Sequence, residues 1–548
     1  MNYNAKKDSW TLVSIILLIL FMIFLLYPLF NLLKEAVYTD GKISFDGFKT
    51  FFSEYYYWSS IINSVKIAVW VMIVSLLLGI PFSYFYSFFN LKGKKVLFIL
   101  CLLCTMSAPF IGAYAWILLF GNSGLFTEIL KSLGIKGITI YGFWGIVFVQ
   151  SLKLFPLVVI YMNGAFRDID NSLLEASESL GCKGLNRFFN IIMSLTMPTI
   201  LAAALLVFMR SFADFGTPIL IGRGYSTFPV LIYSQYLGEN GSNYHFAAAI
   251  SVIAILVTAI IFIIQKIITN KFKFTISSLH PIEIKKANKI NSIFMHIFCY
   301  VLVGISILPQ LYIVNMSFRN YRNSILRPGY SLVNYSKALE KALFTSIGNT
   351  LIISVVTLAI IIVIAVLIAY LVVRRNNILN NTIDTISMLP YIMPGAVIGI
   401  SLIVSFSKYP FILTGTLFIM IIALVIRRMP FTSRSATATM MQIPESIEEA
   451  AISLGASKLK TFINITVPMM TNGIISGAVL SWVSIITEMS SGVILYNNRT
   501  ITLTISTYSA ITGGVYGVAA VFATITMIFT VICLMIYLKS TKLEDVKI

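Results

Sequence analysis

Polar residues interrupt this chain only at intervals, and the apolar stretches between them are too long for the strands or surface helices of a soluble protein. Crossing about 30 Å of hydrocarbon takes about 20 residues of α-helix, and a helix satisfies its own backbone groups where no water can. Twelve stretches reach that length: 11–33, 62–89, 96–120, 142–166, 198–221, 247–268, 293–314, 346–373, 386–406, 412–440, 469–494 and 514–538. The tenth is interrupted by Arg427, Arg428 and Pro430. The pattern predicts an all-α polytopic membrane protein of about 12 transmembrane helices.

Composition agrees and charge adds a direction. Of 548 residues, 58% are hydrophobic and 11% charged, with a mean hydropathy of +0.89, which excludes an ordinary soluble globule. The formal net charge is +19. Lys92, Lys94 and Lys95, and then Lys266, Lys271, Lys273, Lys285, Lys286 and Lys289, fall in loops on the side of both termini. Basic loops mark the cytoplasmic face, so both termini are expected there. Attraction to anionic lipid headgroups comes second, and no segment is left over for the basic soluble face that nucleic acid would require. Lys6 and Lys7 precede an apolar stretch without a small-residue cleavage pattern, which predicts a retained first helix. Cys101 and Cys104 read as small side chains on one apolar helical turn, and His245, His280 and His296 are scattered, so no metal site is expected.

The chain is built twice. Glu175 and Glu449 are 274 residues apart, as are Gly181 and Gly455, Pro156 and Pro430, Lys153 and Arg427, and Asp214 and Glu488. Asn63-Ser64 matches Asn349-Thr350 at an offset of 286, and Ala108-Pro109 matches Leu389-Pro390 at 281, so the length differences lie in loops. Six spans per half is an even number, which makes the halves parallel repeats with the transport path expected at their interface. The expected division is a six-helix half at 1–269, a basic cytoplasmic linker at 270–290 and a second six-helix half at 291–548. Pro109 and Pro390 free backbone groups inside spans, which either a wet pathway or a packed neighbour must satisfy.

Two cytoplasmic loops carry matching motifs. In the second, Glu449-Ala450-Ala451 is followed by Gly455 and then by Ile465-Thr466-Val467-Pro468. In the first, Glu175-Ala176-Ser177 is followed by Gly181 and Pro198, with Ser194 where a proline is expected. Each reads as a short helix closed by a left-handed glycine, opening at Asp170 or Asn171 and at Pro444-Glu445. Ile447, Ala450, Ala451 and Leu454 share a face of the second; Leu173, Leu174, Ala176 and Leu180 are the apolar residues of the first. So short a helix is not stable alone in water, so it packs on the spans or enters a partner's groove.

The second loop resembles the signature of binding-protein-dependent ABC transporter permeases, and the chain is similar over nearly its whole length to the fused two-half permeases of the ferric-iron uptake family. The likeness extends to Leu389-Pro390-Tyr391-Ile392-Met393-Pro394-Gly395, to Ala213-Asp214-Phe215-Gly216-Thr217-Pro218, and to Thr487-Glu488-Met489-Ser490. It also takes in the stretches that begin at Thr227 and Thr502. The resemblance implies a type I ABC importer fold in which Glu175, Ala176, Gly181, Glu449, Ala450, Ala451, Gly455 and Pro468 couple the permease to an ATPase. It also implies an extracytoplasmic solute-binding protein. No G-x4-G-K-(S/T) phosphate loop occurs, so this chain is expected to bind no cofactor. ATP and Mg would be used by separate cytoplasmic ATPase subunits, two copies, one per loop.

No constellation of nucleophile, base or metal ligands suggests catalysis. Ionisable groups at span depth are the remaining functional candidates, namely Lys153, Asp214, Arg427 and Glu488. Lys153 and Arg427 either favour passage of an anionic solute or anion-chelated metal, or neutralise Asp214 and Glu488; Arg210, four residues before Asp214, offers a pair within one helix. The expected function is import of ferric iron or an iron chelate across the cytoplasmic membrane. The same architecture would serve thiamine, a phosphonate or a polyamine. A secondary transporter also has parallel six-span halves, but no reason to keep two such loops.

Overall fold

The computed structural model describes residues 9–39, 41–106, 109–135, 139–237, 244–271, 280, 282–284, 287–322, 325–340 and 343–540. The linker lysines Lys273, Lys285 and Lys286, together with Lys6, Lys7 and Ala108, lie outside them. Among the described residues nine helices are long and apolar enough to cross a membrane: Trp10–Val37, Tyr55–Phe88, Phe110–Ser132, Phe143–Arg167, Gly184–Phe212, Tyr244–Ile264, Lys289–Phe318, Leu343–Arg374 and Tyr516–Ile536. Two bent pairs, Ile378–Tyr391 with Gly395–Phe406 and Lys458–Met469 with Gly473–Ile486, turn by 111° and 70° and bring the number to eleven if each is one span. A further helix, Leu417–Gln442, runs unbroken through Pro430 but carries Arg427, Arg428 and Arg434. The protein is an all-α polytopic membrane protein, with two small antiparallel hairpins among the described residues.

The breaks have local causes. Pro394 disfavours helical geometry in the residue before it, and Met393 is extended at φ −87° and ψ 134°. Sequence reading placed Asp214 and Glu488 inside the fifth and eleventh spans. The helices instead end at Phe212 and Ile486, and each carboxylate stands in the gap before a short helix, Gly216–Ile221 or Gly492–Leu495. Asp214 Oδ1 accepts from Gly216 N at 3.2 Å and Glu488 Oε1 from Ser491 N at 3.0 Å. Each side chain thus satisfies a backbone donor that the break leaves free.

Packing groups the helices into two compact units that interleave along the sequence. One comprises Met1–Phe51, Ile232–Ile255 and Met316–Ile548. Here the N-terminal helix lies on helices of the second repeat: the Trp10 ring is 4.4 Å from Tyr370 and 4.9 Å from Phe462. Ser14 Oγ donates to Asn380 Oδ1 at 2.7 Å, and Asn31 Nδ2 to Ser405 Oγ at 3.1 Å. The other unit comprises Phe52–Leu231 and Leu256–Asn315. In it the helix that opens the second repeat lies on the first. Lys92 N donates to His296 Nε2 at 3.0 Å, Tyr300 OH donates to Lys92 O at 2.6 Å, and Phe298 stacks edge-on to Phe85 at 5.7 Å.

Candidate coupling surface and membrane charge site

The loop glutamates sit on two short helices built alike. Asn171–Ser179 opens at Asp170, whose carboxylate accepts from Ser172 N at 2.9 Å, an N-cap bond that satisfies a free donor of the first turn. It closes at Gly181, φ 84°, where Cys182 N donates to Ser177 O at 2.9 Å. Glu445–Ser453 follows Pro444 and closes at Gly455, φ 90°, where Ala456 N donates to Ala451 O at 3.1 Å. Glycine takes the left-handed conformation without a Cβ clash, and the next N–H then folds back onto the last turn.

The inward faces differ from those the apolar pattern suggests. In Glu445–Ser453 the buried residues are Glu448 and Ala451, while Ala450 and Leu454 face outward, Leu454 being 89% exposed. Glu448 turns inward because Arg374, at the end of Leu343–Arg374, meets it: Nε donates to Glu448 Oε1 at 3.0 Å and Nη2 to Ile443 O at 2.8 Å. In Asn171–Ser179 the equivalent buried positions are Leu174 and Ser177, and Ser177 Oγ donates to Leu174 O at 2.7 Å. That bond lets serine stand where the other loop has alanine. Glu175, Ala176, Glu449 and Ala450 are exposed. Beside them the same apolar positions are uncovered in both loops: Leu180 and Leu454, Leu185 and Leu459, Phe189 and Ile463. Pro468 follows a π-helical turn at Phe462–Thr466, and the equivalent turn at Phe188–Ile192 forms although Ser194 replaces the proline. The wide turn therefore does not depend on a missing N–H.

At span depth the charges of the second repeat converge. Arg427 and Arg428 each donate to one oxygen of Glu488, whose side chain is 4% exposed. Arg427 Nη1 also donates to Ser490 Oγ at 2.6 Å, and Ser490 Oγ to Glu488 Oε1 at 2.9 Å. Two guanidiniums thus converge on one carboxylate. Gly395, just past the break at Pro394, makes room for this: a Cβ there would overlap the Arg427 guanidinium and the Ser490 hydroxyl. A cavity of about 20 Å³, lined by Glu488, Ser491, Thr350 and Thr502 among others, is large enough for one water.

The first repeat is wired differently. Asp214 Oδ2 accepts from Gln150 Nε2 at 3.0 Å, and Gln150 in turn accepts from Ser211 Oγ. The helix that carries Arg210 ends at Phe212, two residues before Asp214. Lys153 stands half-buried on Phe143–Arg167. Among the described residues no three His, Cys, Asp or Glu side chains converge as a metal cage.

The family model described as binding-protein-dependent transport system inner membrane component matches residues 75–274 and again 361–541, one match containing each loop. This chain belongs to that family of permeases. The permease is 29% identical to the ferric transport system permease protein FbpB of Actinobacillus pleuropneumoniae, over 85% of this chain and 69% of that protein. It is 30% identical to the putative ferric transport system permease protein FbpB 1 of Haemophilus influenzae, over 79% and 70%. Against the putative 2-aminoethylphosphonate transport system permease protein PhnU of Salmonella typhimurium it is 25% identical, over 48% and 92%. It is therefore an ABC importer permease with two fused halves, a multi-pass protein of an inner-membrane system.

Two of the permease's site residues escape a reading by motif. Arg374 is the buried partner of the candidate coupling helix Glu445–Ser453, and Arg428 is the second arm on Glu488. A signal for the first exists: at the repeat offset Glu448 is the counterpart of Leu174, and a carboxylate replacing a core leucine needs a buried partner.

Proposed function

We propose that this permease imports ferric iron, free or chelated, delivered by an extracytoplasmic solute-binding protein and driven by two copies of a cytoplasmic ATPase. The observation that carries the reading is the pair of outward-facing glutamates, Glu175 and Glu449, each on a glycine-closed helix beside the same three uncovered apolar positions. Burying one such side chain contributes about 1.5–3 kcal/mol, so insertion into a groove of the ATPase would hold a helix too short to be stable by itself. Glu175, Ala176, Gly181, Glu449, Ala450, Ala451, Gly455 and Pro468 then transmit the ATPase's motion. ATP and Mg are used by the partner, this chain binds no cofactor and catalyses nothing, and both termini lie on the cytoplasmic side with the loops.

The ferric substrate rests on the FbpB relatives. Lys153, Asp214, Arg427 and Glu488 belong to the path in this reading, and the paired guanidiniums at Glu488 suit iron carried with an anionic chelator. The same guanidiniums favour a second reading, import of a phosphonate, in keeping with the PhnU likeness. The test is the permease reconstituted in proteoliposomes with its binding protein and ATPase. ATP-dependent radioiron uptake is expected, with ATPase co-purification lost in Glu175→Lys/Glu449→Lys while thermal stability is kept. Uptake of 2-aminoethylphosphonate without iron would select the second reading, and an ATPase still bound to the double variant would refute the docking surface.

A further inference from the structure

Beyond the short helix that follows each carboxylate, a further helix has its start held by an equivalent pair of side chains. In the first repeat Ser64 Oγ accepts from Phe228 N at 2.8 Å, and Asn63 Nδ2 donates to Ser226 O at 3.1 Å. In the second, Thr350 Oγ1 accepts from Leu503 N at 3.0 Å, and Asn349 Nδ2 donates to Ile501 O at 2.9 Å. These clasps set Phe228–Leu237 and Leu503–Thr512 in equivalent places, and at an offset of 275 they make Tyr233 the repeat counterpart of Tyr508. The two hydroxyls meet: Tyr508 OH donates to Tyr233 OH at 3.5 Å. Parallel-repeat transporters hold their solute where the repeats meet, and here a residue of the first repeat meets its counterpart of the second within one compact unit. Tyr496 follows the short helix Gly492–Leu495. All three rings are half-buried.

We propose that Tyr233 and Tyr508 form a transient oxygen site that ligates the trivalent metal during its passage. The proposal rests on the ferric reading above. A hard cation seeks oxygen ligands; carboxylates at this depth would need permanent partners, whereas neutral phenols do not. Oxygens about 2.0 Å from a small octahedral ion sit about 2.8 Å apart at a right angle, so a pair already 3.5 Å apart closes on the ion with a small side-chain shift. As each Fe–O(phenolate) bond forms, the phenol O–H breaks and its proton passes to the chelator carboxylate that leaves the metal; iron stays ferric throughout. Once the metal moves on, the phenols take up protons again and nothing charged remains to trap the next ion, as conduction requires sites that bind weakly enough to release.

The experiment uses the full permease with its ATPase and binding protein, and ferric citrate as probe. The wild type is expected to show a visible phenolate-to-iron charge-transfer band, which gallium citrate, colourless itself, competes away. Tyr233→Phe and Tyr508→Phe, which keep the ring and the packing, are expected to lose the band and at least tenfold of the iron uptake while ATPase stimulation by the loaded binding protein persists. Variants that import iron at the wild-type rate, or a wild type that imports iron with no such band, overturn the tyrosine site and leave ferric import standing. A wild type that takes up 2-aminoethylphosphonate and no iron overturns both.

Discussion

Arg374 and Glu448 form an ion pair, Nε to Oε1 at 3.0 Å, in which both side chains are more than nine-tenths buried. The pair ties the short helix Glu445–Ser453 to the end of the span Leu343–Arg374; under the proposed docking, displacement of Glu449 would be passed to that span. Removing one member leaves a buried charge alone, at a cost of about 3–5 kcal/mol, whereas replacing both by apolar residues is often neutral. Glu448→Ala and Arg374→Met should each lower the thermal midpoint in detergent strongly, and Glu448→Leu/Arg374→Met should recover most of the loss. Additive losses in that cycle would show that the pair is not a unit.

Gly395 and Gly112 occupy similar proline-glycine stretches, yet only one is sterically required. A Cβ on Gly395 would overlap the Arg427 guanidinium and the Ser490 hydroxyl, whereas a Cβ on Gly112 would meet nothing within 4 Å. Overpacking costs about 1–3 kcal/mol, while alanine for glycine inside a helix gains up to about 1 kcal/mol. Thermal unfolding should therefore place Gly395→Ala well below the wild type and Gly112→Ala at or slightly above it.

The Arg427, Arg428 and Glu488 cluster is unequal in what it can lose. Arg428→Met leaves Arg427 balanced against Glu488, whereas Glu488→Gln leaves two guanidiniums facing each other at span depth. The second change should destabilise by several kcal/mol, the size seen when a buried partner is removed, and the first by far less. In Glu488→Gln/Arg428→Met part of the stability should return, read by the same thermal midpoint. Equal midpoints for the two single variants would mean that the guanidiniums are solvated.

The two glycine-closed loop helices are legible in the sequence because their requirements are local: a glycine that can turn left-handed at Gly181 and Gly455, and a repeat offset shared by Glu175 and Glu449. The inward face of Glu445–Ser453 is only partly legible: the amphipathic pattern finds Ala451 but points to Leu454 as well, where the second buried residue is Glu448. Only the arrival of Arg374, 74 residues earlier in the chain, decides that. Asp214 and Glu488 are recognisable as unusual charges, but their place in helix breaks depends on where each helix stops, and hydropathy does not register a stop inside an apolar run.

By itself, then, the sequence determined that this is a polytopic helical permease built from two repeats with matching loops, because span length, apolar composition and glycine chemistry act within one segment. Tertiary structure alone decided that the first helix of each repeat packs in the unit formed mainly by the other, through contacts such as Trp10 with Tyr370 and Tyr300 with Lys92. The physical reason is the solvent. Lipid is as apolar as a leucine side chain, so hydrophobicity drives a helix into the membrane without choosing its neighbour, and the choice falls to packing and a few hydrogen bonds between residues far apart in the chain.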